Sequence, residues 1–200
     1  MHKALKTFIP TVTNMIRADH AHAMLTFHQY EIDTSPGTKR ALVNTICLAL
    51  DVHAQLEEEI FYPAMRKVAG DAGMVGKSVG EHDEMRRLIG RLRDMSPEDP
   101  GYDATVMELM RDVMHHVADE ETILLPDAER QLADQLEDLG ATMAKRRLEL
   151  VAPKTLTIAW NTARALPASN VLMGAGALAL VALMLGGRRR RRHALGRGLA

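Results

Sequence analysis

Two stretches of the sequence repeat one arrangement of side chains able to hold metal ions. His53-Ala-Gln-Leu-Glu57-Glu58-Glu59-Ile60-Phe61-Tyr62-Pro63 and His116-Val-Ala-Asp-Glu120-Glu121-Thr-Ile123-Leu-Leu-Pro126 share the pattern His-x-x-x-Glu-Glu-x-Ile-x-x-Pro, and Leu50 and Val113 match three residues before each histidine. Residues four apart stand one above the other on a helix face, so an imidazole nitrogen and a carboxylate oxygen converge there on one ion. One copy is common on solvated helices and carries little weight. Two copies, both on an apolar stripe where unpaired polar groups are costly to bury, point to coordination. Facing each other, two such helices can hold two ions bridged by the carboxylates. Mixed imidazole and carboxylate donors suit iron, manganese or zinc rather than calcium.

Two further histidines lie on inward stripes, each preceded by an acid: Asp19-His20 and Glu81-His82. The candidate metal ligands are therefore His20, His53, Glu57, His82, His116 and Glu120. His115 could pair with Asp119 at the same spacing, but it sits about 100° off the stripe that carries His116. His22 and His28 are expected at the surface or rim. Glu58 and Glu121 are expected to cap neighbouring groups or to support the ligands from behind. Phe27, Tyr30, Phe61 and Tyr62 are expected to fill core or pocket space.

The elements that would position these groups are helical. Val12, Ile16, His20, Met24 and Phe27 recur at helical steps in a first helix running from Leu5 or Thr11 to Ile32. Thr34-Ser35-Pro36-Gly37-Thr38 breaks it. A second helix, about Lys39 to Val68, carries Ile46, Leu50, His53, Glu57 and Phe61 on one stripe, and Pro63 should kink or locally break its last turns. A glycine-rich loop falls within residues 70–80. The third helix, about Val79 to Met95, aligns His82, Met85, Ile89 and Leu92. After the breaker at residues 96–101, a fourth runs from Tyr102 into the 130s with Leu109, Val113, His116 and Glu120, and another amphipathic stretch reaches Leu150. The expected fold is all-α: an up-down-up-down four-helix bundle over residues 1–150 with its site built from inward side chains.

These residues resemble the hemerythrin-like family, the HHE cation-binding domain. The resemblance covers roughly Phe8 to Arg130 and rests on Asp19-His20, His53-x-x-x-Glu57-Glu58, Glu81-His82 and His116-x-x-x-Glu120-Glu121. It implies a centre of two non-haem iron ions, ferrous or ferric, joined by carboxylate and oxo or hydroxo bridges. His20, His53, His82 and His116 would be terminal ligands, and Glu57 and Glu120 would bridge. The sequence departs from oxygen carriers at Arg86, where they place a second histidine on the third helix. The vacancy would be filled by water, Glu81 or another side chain. The expected small ligands are oxygen, nitric oxide or peroxide. Binding or sensing a diatomic ligand, or handling iron, is the first expectation; an oxidoreductase acting on the same molecules is the alternative.

Composition is that of a folded helical domain: 46% hydrophobic, 26% charged, 4% aromatic and 13 methionines, with a formal net charge of −1. That charge gives no general argument for a nucleic-acid partner. Cys47 alone cannot form an internal disulfide and lies in an apolar run. The N-terminus reads as lacking a secretory signal. The last residues change character. Residues 151–165 read as a linker, 166–187 as an uncharged hydrophobic and transmembrane-like segment, and 188–200 as a basic tail beginning with Arg188–Arg192. The expectation is attachment to membrane lipid with the bundle on the cytoplasmic side.

Overall fold

The computed structural model describes residues 10–69 and 73–165, and no strand occurs among them. Helix α1 spans Val12–His28, and the Thr11 hydroxyl caps it by accepting the Asn14 N–H at 3.3 Å. Helix α2, Pro36–Leu56, starts in the same way, with Ser35 accepting from the Thr38 N–H at 3.3 Å and Pro36 in the first turn. It passes through a π turn, Glu57–Phe61, and continues as α3, Tyr62–Ala69. Helix α4 is Met74–Asp94. Helix α5, Tyr102–Asp119, likewise passes through a π turn, Glu120–Leu124, into α6, Leu125–Gln131. Helix α7 is Leu136–Val151, followed by a 3₁₀ turn, Ala152–Lys154, and α8, Thr155–Ala165.

Two apolar clusters sit one at each end of the bundle, and the candidate ligands form a layer between them. Along α1 the chain meets one cluster at Val12, Met15 and Ile16, then His20, then the other at Ala23 and Phe27. Along α2 the order is reversed: Leu42, Ile46 and Leu50, then His53, then Leu56 and Phe61. Helix α4 follows the order of α1, with Val75, His82 and Met85, and α5 follows that of α2, with Val113, His116 and Leu124. This alternation is the up-down-up-down arrangement. Its physical origin is the helical period, which keeps each apolar stripe inward over several turns.

Two cationic side chains of α2 are paired within this core. Lys39, almost fully buried, binds both carboxylate oxygens of Asp103 at 2.8 and 2.9 Å, and the Tyr30 hydroxyl donates to the same acid. Arg40 donates to the Leu92 carbonyl at 3.1 Å and to that of Met95, satisfying the C-terminal end of α4. Cys47 is buried, and desolvation pushes its thiol up to about 12, so it behaves as a small apolar side chain.

Several elements differ from the sequence expectation. Pro63 does not break its helix. It follows a π turn and the helix resumes, because the wider turn accommodates a residue without an N–H. Helix α4 begins at Met74 rather than near Val79, so Gly76 and Gly80 lie inside it, and α1 ends at His28, short of Ile32. The expected linker, residues 151–165, is a 3₁₀ turn and a helix; α8 lies against α2 and Asn161 is buried. No described helix is long and apolar enough to cross a membrane. The expected hydrophobic segment, residues 166–187, and the basic tail, 188–200, lie outside the described residues.

Gly140 is where α7 closes on the start of α1. A Cβ there would lie 2.2 Å from the Pro10 carbonyl oxygen and 3.0 Å from backbone atoms of Thr11 and Val12. Alanine in place of a helical glycine ordinarily raises stability by about 0.5–1 kcal/mol. Gly140→Ala should instead lower it, by about 1–3 kcal/mol, because backbone cannot give way as a flexible side chain can. Urea denaturation of the variant checks the sign.

Candidate metal centre

All six candidate ligands come together in the polar layer. His20, His53, His82 and His116 are at most 5% exposed, and Glu57 and Glu120 are fully buried. Ligand atoms of His20, His53, His116 and Glu120 lie within 4.8 Å of one another, and so do those of His53, Glu57, His82 and His116. The two sets share His53 and His116 and therefore adjoin. His115, His22 and His28 are exposed, in keeping with the stripe argument that selected His116.

Each imidazole turns Nε2 towards the interior and Nδ1 towards an acid on the neighbouring helix. Nδ1 of His20 is 2.9 Å from Glu121, that of His82 is 2.9 Å from Glu58, and that of His116 is 3.1 Å from Glu81. Nδ1 of His53 lies 3.6 Å from Asp19, an ion-pair distance rather than a hydrogen bond. The four contacts run in one direction: α1 supports α2, the π turn after α2 supports α4, α4 supports α5, and the π turn after α5 supports α1. A carboxylate at Nδ1 favours the proton there and leaves the Nε2 lone pair free for a cation. Glu81 thus faces the outer nitrogen of His116 rather than filling the position next to His82. Arg86 also stays outside, donating to Glu58 at 2.6 Å and to Asp83 at 3.0 Å.

Sequence reasoning assigned Tyr62 to core or pocket space, and the structure places its hydroxyl inside the layer. It lies 2.8 Å from Glu120, 3.1 Å from Glu57 and 3.4 Å from Nε2 of His82, with the two rings stacked. In a regular α-helix, residues five apart point about 140° away from each other. The π turn bonds the Tyr62 N–H to the Glu57 carbonyl and brings both side chains onto one face. The signal for such a turn was Pro63 just beyond, and Pro126 repeats it. There Leu125 occupies the equivalent place and brings no hydroxyl to the layer.

Burial and close contact shift the titration of these groups in different directions. Burial and the adjacent Glu120 push the Glu57 carboxyl well above its ordinary range. Burial also opposes ionisation of Glu120, but His20, His116 and His53 outweigh it and hold that carboxyl low, at about 2. Desolvation lowers His53, and desolvation with neighbouring His116 and His53 takes His82 down to about 2. For His20, desolvation is outweighed by Glu120 and Glu121, and its value rises.

Several inward atoms remain buried without a hydrogen-bond partner: Nε2 of His20 and His53, Oε1 of Glu57 and Oε2 of Glu120. Nε2 of His20 and Oε2 of Glu120 are 3.4 Å apart but outside hydrogen-bond geometry. Buried native polar atoms are almost always paired, so these orphans fit a bound metal.

Two measurements test this. Burial with Glu120 raises the Glu57 carboxyl, and Glu120 with Glu121 raises His20, so each binds its proton more tightly than usual and must give it up before a cation can bind. Metal affinity should therefore rise with pH, with net proton release at neutral pH; calorimetry in buffers of different ionisation heat reads the number of protons. Tyr62→Phe should destabilise the metal-free protein by about 1–3 kcal/mol, because buried carboxylates lose their donor. The deficit should shrink in thermal melts of the metal-loaded protein, where cations satisfy the same oxygens.

Comparison with known proteins bears on the fold and the family. A crystal structure of a hemerythrin HHE cation-binding domain-containing protein from Mycobacterium kansasii superposes with a TM-score of 0.60 at 19% identity, over 78% of this chain and 99% of that one, which is a likeness of fold. A protein named DNA nickase from Nostoc sp. (strain PCC 7120 / SAG 25.82 / UTEX 2576) is 29% identical over 134 residues, which is 67% of this chain. The match covers only 38% of that relative's length. The family model for the hemerythrin HHE cation binding domain matches residues 2–128, a span containing all six candidate ligands, and the chain accordingly belongs to the hemerythrin HHE cation-binding domain family.

Proposed function

We propose that this chain holds two non-haem iron ions in the polar layer and uses them to bind or sense a diatomic ligand, oxygen or nitric oxide. The observation that carries the reading is the pair of adjoining donor sets with His53 and His116 in common. Their donors are imidazole nitrogen and carboxylate oxygen, a mixture that suits iron. Bound iron would supply a ferrous–ferric couple and open positions for a small ligand. The protein's part is to present neutral Nε2 atoms, keep Glu57 and Glu120 between the helices, and exclude bulk water through the apolar cluster at each end.

A second reading is an oxidoreductase that acts on peroxide, oxygen or nitric oxide. Arg86 favours it, because its guanidinium turns away to Glu58 and Asp83 and gives the centre no donor beside His82. Fewer protein ligands leave more room for reacting molecules. Attachment to a membrane through residues 166–200 is also proposed, with the bundle on the cytoplasmic side. The exposed Leu156 and Trp160 of α8, just before that segment, support it.

The deciding experiment loads purified protein with ferrous iron anaerobically and measures iron per chain with the visible spectrum. Two irons per chain, and charge-transfer absorption after admission of oxygen, are expected for the native chain. Both should be lost in His53→Ala/His116→Ala, since each donor set then loses two of its four members. A colourless native chain that takes up only zinc would refute the iron reading. Turnover of peroxide or nitric oxide that disappears in the same variant would favour the enzyme over the binding protein. Co-sedimentation of the full chain with anionic vesicles, abolished when Arg188–Arg192 are replaced by glutamine, checks the tether.

A further inference from the structure

The candidate ligands are shielded from solvent, so any diatomic ligand needs a route inward. Against the rings of His20, His53 and His116 lies a small void of about 10 Å³. Its remaining wall includes Ala23, Leu50, Val113 and Val117. That volume is near the lower limit for one water molecule. A larger cavity of about 180 Å³ lies outside it, enclosed by α1, α2, α7 and α8. Leu48, Val52, Val151 and Ile158 make its lining largely aliphatic, and exposed His22 marks its outer side. Cofactor-sized ligands need roughly 300–1,000 Å³, so this cavity suits only small molecules.

The two cavities share two wall residues, Asp19 and Ala49. Ala49 contributes only a methyl group at the partition. Asp19 is held from the outer side by both guanidinium nitrogens of Arg147, one at 2.6 Å, and faces His53 at 3.6 Å on the inner side. Arg147 and the outer wall come from α7 and α8, C-terminal to the span that matches the family model.

We infer that the cavity beneath α7 and α8 is the antechamber through which uncharged, apolar diatomic molecules reach the centre, with Ala49 as the sieve and the Asp19–Arg147 pair as the fixed jamb beside it. The inference rests on the proposed diatomic-binding reading. Aliphatic walls favour oxygen or nitric oxide over charged species.

Two measurements test the route separately from that reading. The first is stopped-flow association of nitric oxide with the reduced, iron-loaded full chain. Ala49→Phe, and independently Ile158→Trp on the outer wall, should slow association about tenfold or more, because a densely packed interior passes a molecule only where side chains leave room. Iron content and the final spectrum should stay as in the native chain. Unchanged rates in either correctly folded, iron-loaded variant would overturn the route. The second is xenon pressure on the metal-free chain, followed by nuclear magnetic resonance. Shifts concentrated at Ala49, Val52 and Ile158 are expected, and their absence would overturn the antechamber whatever the iron does. If the native chain binds no diatomic ligand at all, the functional reading falls, and xenon alone decides whether an apolar passage exists.

Discussion

Four imidazoles and two carboxylates buried in one layer of a helical bundle are tolerable only when their orientations are dictated from outside the layer, and here an acid behind each histidine does so. Each acid is the sequence neighbour of a candidate ligand: Asp19 of His20, Glu58 of Glu57, Glu81 of His82, and Glu121 of Glu120. Adjacent helical residues point about 100° apart. One of each pair therefore faces the interior while the other faces the next helix. Four local pairs close into one ring, and the ring makes the bundle's helix order and its site a single problem. A change in one acid reaches a histidine on another helix.

The repeated sequence does not produce a symmetric site. Both halves carry a π turn before a proline, and each turn places the residue five positions beyond a glutamate onto that glutamate's face. In one half that residue is Tyr62, whose hydroxyl touches both glutamates; in the other it is Leu125, which joins the apolar cluster. The donor sets differ as well, since Glu57 and His82 belong to one and His20 and Glu120 to the other. Two ions held here would occupy inequivalent surroundings.

The C-terminal helices are tied to the same layer. Arg147 of α7 holds Asp19, whose carboxyl sits below its ordinary range because His53 and Arg147 together outweigh its burial. The contact links α7 to His53 through one carboxylate. Gly140 sets how closely α7 approaches α1, and α8 completes the wall over α2. The segment beyond the family match is thus built against the flank of the centre.

The sequence by itself determined the helices and the identities of the inward groups. Periodicity placed His20, His53, Glu57, His82, His116 and Glu120 on apolar stripes, and it separated His116 from His115, because burial follows the helical period and that period is local information. It also flagged the acids beside the ligands, though not what they touch. Only the tertiary structure decided that each acid serves a histidine on a different helix, that Arg86 and Glu81 stay outside the ligand positions, and that Tyr62 enters them. It also decided that residues 151–165 fold back as a wall rather than merely link. These outcomes depend on two π turns that shift the facing of every later residue and on distances between helices, which are not a property of any single stretch of chain.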